Sequence, residues 1–321
     1  MATLALLHPV ASEMASVEEV LAGVCRVDNP LLAEALHHVL HSGGKRVRSA
    51  LVLLSSAFHP YPRPPVIQLA AATECLHAAT LVHDDIIDNA STRRGVETVN
   101  VRWNNTIAVL TGDYLFAKSA EMIAALGSTE VMGLMARAVM AVCQGEIEEP
   151  SLKPGTDQME EQYYRTIRQK TAHLMVFACE AAATLTGAPP AIVRAFHDYA
   201  MNIGMAFQIA DDILDLTGSE ETLGKPVGSD LREGVLTLPV IRYLQQHPND
   251  PRILRVLGSQ DGEADIALAI ELIKRSGAVD QAYARAREFA SAAVAALDGL
   301  PHNAHRQALV DLAEYVVRRR S

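Results

Sequence analysis

The chain has 321 residues, enough for one large domain or two ordinary ones. Its formal charge of -10 argues against general nucleic-acid binding, and 49% hydrophobic against 21% charged residues allow a sizeable buried core. Aromatics are only 5% while Ala, Leu and Val dominate, which favours helix over strand.

The N-terminal "MATLALLHPV" is apolar but short, without a basic leader or a clear cleavage site, so no signal peptide is expected. "PLLAEALHHVLHSGG" predicts a helix that begins after Asn29 and stops at Gly43. After the Pro-rich break at 60–65, "PPVIQLAAATECLHAATLVHDDIID" is apolar almost all round, which predicts a buried helix. Further helices are expected around 105–126, 129–148, 158–186, 190–216, 236–247, 263–275, 278–298 and 302–319. Breaks fall at "EEPSLKPGTD", "GAPP", "HPND" and "GSQDGE". No alternating strand pattern is visible. The expectation is one all-α bundle over residues 1–321, without a separable second domain. No apolar run reaches ~18 residues without charge, so no transmembrane segment is expected. Cys25, Cys75, Cys143 and Cys179 show no metal spacing and no disulfide framework, which points to a reducing cytoplasm.

Two stretches repeat one acidic pattern. "LVHDDIIDNASTRRG" carries Asp84, Asp85 and Asp88, and "QIADDILDLTG" carries Asp211, Asp212 and Asp215. On a helix, residues four apart share a face, so Asp84 pairs with Asp88 and Asp211 with Asp215, with Asp85 and Asp212 about a quarter turn round. One such cluster reads best as a solvated helix end. Two, each at the polar end of an apolar helix, call for cations. Oxygen-only ligands favour Mg²⁺ or Mn²⁺ over zinc, and Mg²⁺ completes its shell with water and substrate phosphate oxygens.

Basic residues gather nearby. "GGKRVRS" places Lys45, Arg46 and Arg48 after a helix end, Arg93 and Arg94 follow the first acidic set, Lys170 and Thr171 lie in "IRQKTAHL", and Lys225 lies in "TLGKPVG". Singly, each is an ordinary surface group. Around two acidic sets they suggest two anionic substrates or one long polyanion. "GGKR" lacks the earlier glycine and the Lys-Ser/Thr ending of a Walker loop.

The ordered set "GGKRVRS", "LHAATLVHDDIIDNASTRRG", "WNNTIAVLTGDYLFAKSAE", "RQKTAHL", "GMAFQIADDILDLTG" and "LGKPVGSDLREGVLTLP", spanning roughly 30–245, resembles the trans-isoprenyl diphosphate synthases. The resemblance implies an all-α isoprenoid synthase fold with a deep central cavity, a homodimer, and condensation of isopentenyl diphosphate with an allylic diphosphate. It implies Mg²⁺, three ions in all, on Asp84, Asp85 and Asp88 and on Asp211, Asp212 and Asp215. Lys170, Thr171, Gln208 and Lys225 would contact the allylic diphosphate, with Arg93. Lys45, Arg48, His77 and Arg94 would bind isopentenyl diphosphate. Two departures stand out: Ser49 replaces the family's usual Pro, and Val235 replaces a common Lys, with Arg232 as a cation that can compensate.

Near these motifs, His77 shares the Asp84 face at about two turns' distance, which favours function over a core role. His83 reads as packing, Asp113 as a polar contact inside a helix, Trp103 and the methionines as core, and "QGEIEEP" as a solvated helix end. Ala79 and Thr80, just before Asp84, are small where the family places an aromatic for short products, which implies a product longer than geranylgeranyl diphosphate. The alternatives are a geranylgeranyl or farnesyl synthase, a class I terpene cyclase, a head-to-head synthase, and a noncatalytic subunit of a heteromeric synthase. The cyclase normally mixes Asn, Ser/Thr and Glu in its second motif, the head-to-head synthase spaces its aspartates differently, and the noncatalytic subunit commonly lacks one motif.

Overall fold

A computed structural model describes residues 7–148, 158–219, 226–258 and 263–318. The fold is all-α. In chain order the helices are α1 (Ala11–Val24), α2 (Pro30–His41), α3 (Val47–Ser55), α4 (Arg63–Ile87), α5 (Val99–Arg102), α6 (Asn105–Ala124), α7 (Thr129–Glu148), α8 (Met159–Ile167), α9 (His173–Leu185), α10 (Pro190–Thr217), α11 (Ser229–Arg232), α12 (Leu238–Gln246), α13 (Pro251–Leu257), α14 (Glu263–Arg275), α15 (Ala278–Ala296) and α16 (Ala304–Arg318). A two-residue ribbon, β1 (Thr92–Arg93) against β2 (Val96–Glu97), is antiparallel in register Thr92 to Glu97 and Arg93 to Val96.

Local chemistry sets the helix starts. Asn29 Oδ1 accepts from Leu31 N (3.0 Å) and Leu32 N (3.2 Å), with Pro30 opening α2. Asn104 caps α6 through Ile107 N (2.9 Å), and Asp250 caps α13 through Arg252 N (3.0 Å). The expected 158–186 helix is interrupted: Arg168–Ala172 forms a π turn between α8 and α9. Helices α1, α3, α5, α11 and α13 and the ribbon were not anticipated. Each of these helices is brief or weakly patterned and gains its stability from packing rather than propensity.

The chain divides into two compact units. The first comprises Met1–Arg137, Phe177–His197 and Gly299–Asp311, and the second Ala138–Val176, Asp198–Asp298 and Leu312–Ser321. The axis of the first unit is α4, which packs on α6 and on α1 to α3. Among the described residues α4 alone is long and apolar enough to cross a membrane, yet 72% of its apolar window is buried, the signature of a core helix. Ser119 Oγ of α6 donates to Ala72 O (2.9 Å), and His83 lies over Gly112 with its Nε2 3.2 Å from Val109 O. The packing role of His83 is as expected. Asp113 makes the polar contact expected of it, with Oδ1 3.6 Å from Nε2 of His83 on α4, although its side chain is 61% exposed at the rim of that contact. The core of the second unit gathers Met159, Tyr163 and Ile167 of α8, Ile209, Ile213 and Leu216 of α10, and Leu238, Ile241 and Leu244 of α12 with apolar residues of α14 and α15. Not every methionine is core: Met140 is 57% exposed, and Trp103 is half-buried against His38.

Candidate active site

In the first unit the first acidic set occupies the end of α4. Asp84 is half-buried, Asp85 buried and Asp88 exposed, and Asp88 N donates to Asp84 O (2.8 Å) as the helix closes. Carboxylates here meet the negative end of the helix dipole, and the last turn has no basic residue to offset it. Arg93 returns from the ribbon to place Nε 2.6 Å from Asp85 Oδ1. Burial nonetheless raises the Asp85 pKa, with Arg93 opposing. The return is made by a two-residue turn, Arg94-Gly95, with φ of 54° and 78°, the geometry a tight hairpin requires and one that a non-glycine residue adopts at a cost of about 1–2 kcal/mol.

Arg94 reaches the other basic motif. Its Nη1 donates to Gly43 O, and a Cβ on Gly44 would lie 2.7 Å from that same nitrogen. At Gly44 the backbone passes under this guanidinium, while Gly43 is set by its φ of 88°, with nothing within 4 Å of the Cβ it lacks. Lys45 is exposed and Arg48 half-buried, while His77 stands among arginines. Burial and the charges of Arg48, Arg94, Arg93 and Arg46 hold the His77 pKa well below the usual range, so its ring is neutral near pH 7, with Nδ1 buried and unbonded. Arg46 has a different task. It donates from Nε and Nη2 to the two oxygens of Glu18 (2.7 and 3.2 Å) and to Leu40 O (2.5 Å), pinning α2 to α1.

In the second unit the last turns of α10 carry Gln208, Asp211, Asp212 and Asp215 on one helical stripe, again at the negative end of a helix without basic residues in its last turn. Asp211 is half-buried, Asp212 and Asp215 buried. A chain of bonds fixes Asp212: Thr171 Oγ1 donates to Gln208 Oε1 (2.6 Å), Gln208 Nε2 to Asp212 Oδ1 (2.8 Å), and Tyr163 OH to Asp212 Oδ2 (2.5 Å). Burial first, then the charges of Asp230 and Asp211, push the Asp212 pKa well up against these bonds. Asp215 braces the returning chain, accepting from Asp230 N at Oδ2 (3.2 Å) and from Gly228 N at its carbonyl (2.8 Å). Lys170 Nζ lies 2.9 Å from Glu146 Oε2. Glu146 is only 13% exposed, so this part of "QGEIEEP" is a half-buried ion-pair partner rather than a solvated helix end. Lys225 lies outside the described residues. Val235 and Arg232 are both half-buried.

Sequence reasoning missed Tyr163, Glu146 and Asp230. Tyr163 precedes Thr171 by about two turns, a spacing that was available, but the π turn shifts the register of the face it shares. That turn, a feature common at functional sites, is seated by Gly204, where a Cβ would lie 2.6 Å from Ala172 Cα. Gly204→Ala is therefore expected to cost about 1–3 kcal/mol of stability by displacing the π turn. A melting curve checks it, and an unchanged Tm would show that the turn does not depend on this close approach.

Each acidic set, taken in its own unit, offers the oxygen donors a hard divalent ion prefers: Asp84 and Asp88 are the more accessible carboxylates of the first and Asp211 of the second. Among the described residues no group of three or more His, Cys, Asp or Glu side chains is already placed to hold a metal ion.

These sites sit within a recognisable pattern. Residues 29–273 match the model of the family described as polyprenyl synthetase. The chain is 42% identical over 313 residues, 97% of each chain, to heptaprenyl diphosphate synthase component 2 of Geobacillus stearothermophilus. It is 36% identical, over 96% of each, to a short chain isoprenyl diphosphate synthase of Methanothermobacter thermautotrophicus. A polyprenyl synthase of Caulobacter crescentus, crystallised with calcium and isoprenyl diphosphate, superposes with a TM-score of 0.94 at 34% identity, covering 98% of this chain and 97% of that one. Two acidic helix ends, an arginine-lined glycine turn and a match over most of the chain agree: the chain belongs to the polyprenyl synthetase family and is a prenyltransferase.

Proposed function

We propose that this chain, acting as one synthase domain over 1–321, condenses isopentenyl diphosphate with an allylic diphosphate to give a linear all-trans polyprenyl diphosphate longer than geranylgeranyl. The observation that carries the reading is the pair of intact Asp-Asp-x-x-Asp sets, each ending a helix whose dipole offers no support for negative charge. When bound, divalent ions, Mg²⁺ in this reading and three in number, supply positive charge to the leaving diphosphate. Asp84, Asp88 and Asp211 are the residues assigned to hold them, with Asp85, Asp212 and Asp215 as buried members of the same sets.

Arg93, Lys170, Thr171, Gln208 and Lys225 orient the allylic diphosphate and stabilise it as it departs. Lys45, Arg48, His77 and Arg94 hold isopentenyl diphosphate, whose double bond attacks the allylic cation. His77 is kept neutral, so it serves as a hydrogen-bond donor rather than a charge. No side chain in the two sets is placed as a general base, which leaves the released diphosphate as proton acceptor. The buried faces of the helices exclude water from the cation.

Val109 and Leu110 of α6 are 42% and 57% exposed. Exposed apolar residues of this kind suit a second copy of the chain, and a homodimer in the cytoplasm is the assembly proposed. A relative named as component 2 favours testing one further arrangement, in which turnover needs a second, different chain. Incubating the purified chain alone with Mg²⁺, isopentenyl diphosphate and an allylic primer decides between them. Linear elongated diphosphates support the synthase, cyclic hydrocarbons a cyclase, and no turnover a requirement for another component.

Arg94→Ala tests the assignment of the basic residues. The KM for isopentenyl diphosphate is expected to rise by about tenfold or more, with a smaller change for the primer. A selective effect on the primer would reverse the assignment.

A further inference from the structure

Glu74 is a buried carboxylate, 5% exposed on α4, that the reaction as proposed does not use. Its Oε1 accepts from the backbone N–H of Ser49 in the first turn of α3 (3.0 Å). Its Oε2 lies 3.8 Å from Nη1 of Arg46, which holds the left-handed φ of 48° just before that helix. Ser49 Oγ also donates to Ala70 O of the same α4 (3.0 Å). One side chain of α4 thus engages the segment 43–49 at two points, on both sides of Arg48. The same segment gives up its Gly43 carbonyl to Arg94.

Charge makes this arrangement costly without a counter-ion. Arg46, Arg48, Arg93 and Arg94 all act on His77, so four guanidinium groups lie around one ring. Burial, Arg93 and Arg46 oppose the charge on Arg94, and Glu74 and then Asp85, which pairs with Arg93, support it. Glu18, the other acid on Arg46, is 44% exposed and screened by water. On charge alone, however, a buried carboxylate beside a diphosphate site weakens anion binding. Its presence there is compensated only if it shapes the site.

We propose that Glu74 is the resident counter-ion of this arginine cluster and the positioning residue of segment 43–49, holding it in its binding shape before a diphosphate arrives. The proposal rests on the assignment of Lys45, Arg48, His77 and Arg94 to isopentenyl diphosphate. It fixes the sign of an experiment. If Glu74 contributes charge alone, neutralising it tightens diphosphate binding; if it positions the segment, neutralising it weakens binding, because part of the affinity is spent on ordering.

Glu74→Gln keeps the size and an oxygen for Ser49 N–H but removes the charge. Its melting temperature is compared with that of the wild type, with and without inorganic pyrophosphate in chelator, and KM is measured for both substrates. The expected result is a smaller pyrophosphate-induced rise and a KM for isopentenyl diphosphate raised about tenfold, with the primer KM unchanged. A rise in Tm on pyrophosphate equal to or larger than that of the wild type, or an unchanged or lower KM for isopentenyl diphosphate, overturns the proposal. Should the Gln variant not fold, Glu74→Asp keeps the charge and shortens the reach: positioning still requires a raised KM, and an unchanged one overturns it. Arg94→Ala is run alongside. If it leaves the KM for isopentenyl diphosphate and the pyrophosphate response intact, the site assignment fails and takes the proposal with it. If it alters them while Glu74→Gln does not, the proposal alone fails.

Discussion

Asp84→Ala and Asp211→Ala are each expected to lower kcat by about a thousandfold or more while the far-UV circular dichroism and the melting temperature stay close to those of the parent. Both side chains are half-buried at a helix C-terminus, where removing a carboxylate relieves repulsion from the helix dipole. The neighbouring Asp212 provides the contrast. Asp212→Ala strips the acceptor from the buried Tyr163 hydroxyl and from the half-buried Gln208 Nε2, and a buried donor left unpaired costs about 1–3 kcal/mol. A clear drop in Tm is therefore expected for Asp212→Ala and not for Asp211→Ala. Near-parent turnover in folded Asp84→Ala or Asp211→Ala would remove these residues from the metal-holding role, and equal Tm values for Asp211→Ala and Asp212→Ala would remove the bracing role of Tyr163.

What could be read in the sequence followed from how local its cause was. The α2 start at Asn29, the buried α4 and the helix ends that carry both acidic sets were legible because capping, apolar periodicity and carboxylate spacing act within a few residues. The roles inside each acidic set were not. Asp84 and Asp85 are identical in kind, and only the Arg94-Gly95 turn, which sends Arg93 back to Asp85, separates them. Nothing in the motif separates Arg46 from its basic neighbours, and only the fold shows Glu18 and Leu40 O taking its guanidinium. The π turn at Arg168–Ala172 could not be read from a helical pattern, since its cause is the glycine at 204, distant in sequence. Glu146 was misread for the same reason: its partner, Lys170, lies beyond the intervening break.

The product should shorten when the wall of α4 is made bulky, and Ala79→Phe is the variant expected to show it. Ala72, Leu76, Ala79 and His83 share one stripe of α4, and the ends of that stripe meet α6: Ser119 bonds Ala72 O, and the His83 ring lies over Gly112 with its centroid 5.6 Å from that of Phe116. Ala79 falls between them and is fully buried. Thr80 lies on the Asp84 face, and its hydroxyl is turned back to His77 O (2.8 Å), so it presents a methyl group outward. Neither position carries an aromatic. One helical turn rises about 5.4 Å, close to the span of one isoprene unit, so a ring placed about one turn before Asp84 stops a growing tail after few additions. Ala79→Phe should therefore retain the first condensations, shift the product distribution to shorter chains, and lower Tm through overpacking by about 1–3 kcal/mol. Thr80→Phe should shorten the product with a smaller loss of stability, because that side of α4 is less tightly enclosed. Chromatography of the dephosphorylated alcohols reads the lengths. Parent-length products from active forms of both variants would place the floor on another helix and withdraw the argument that small residues before Asp84 set a long product.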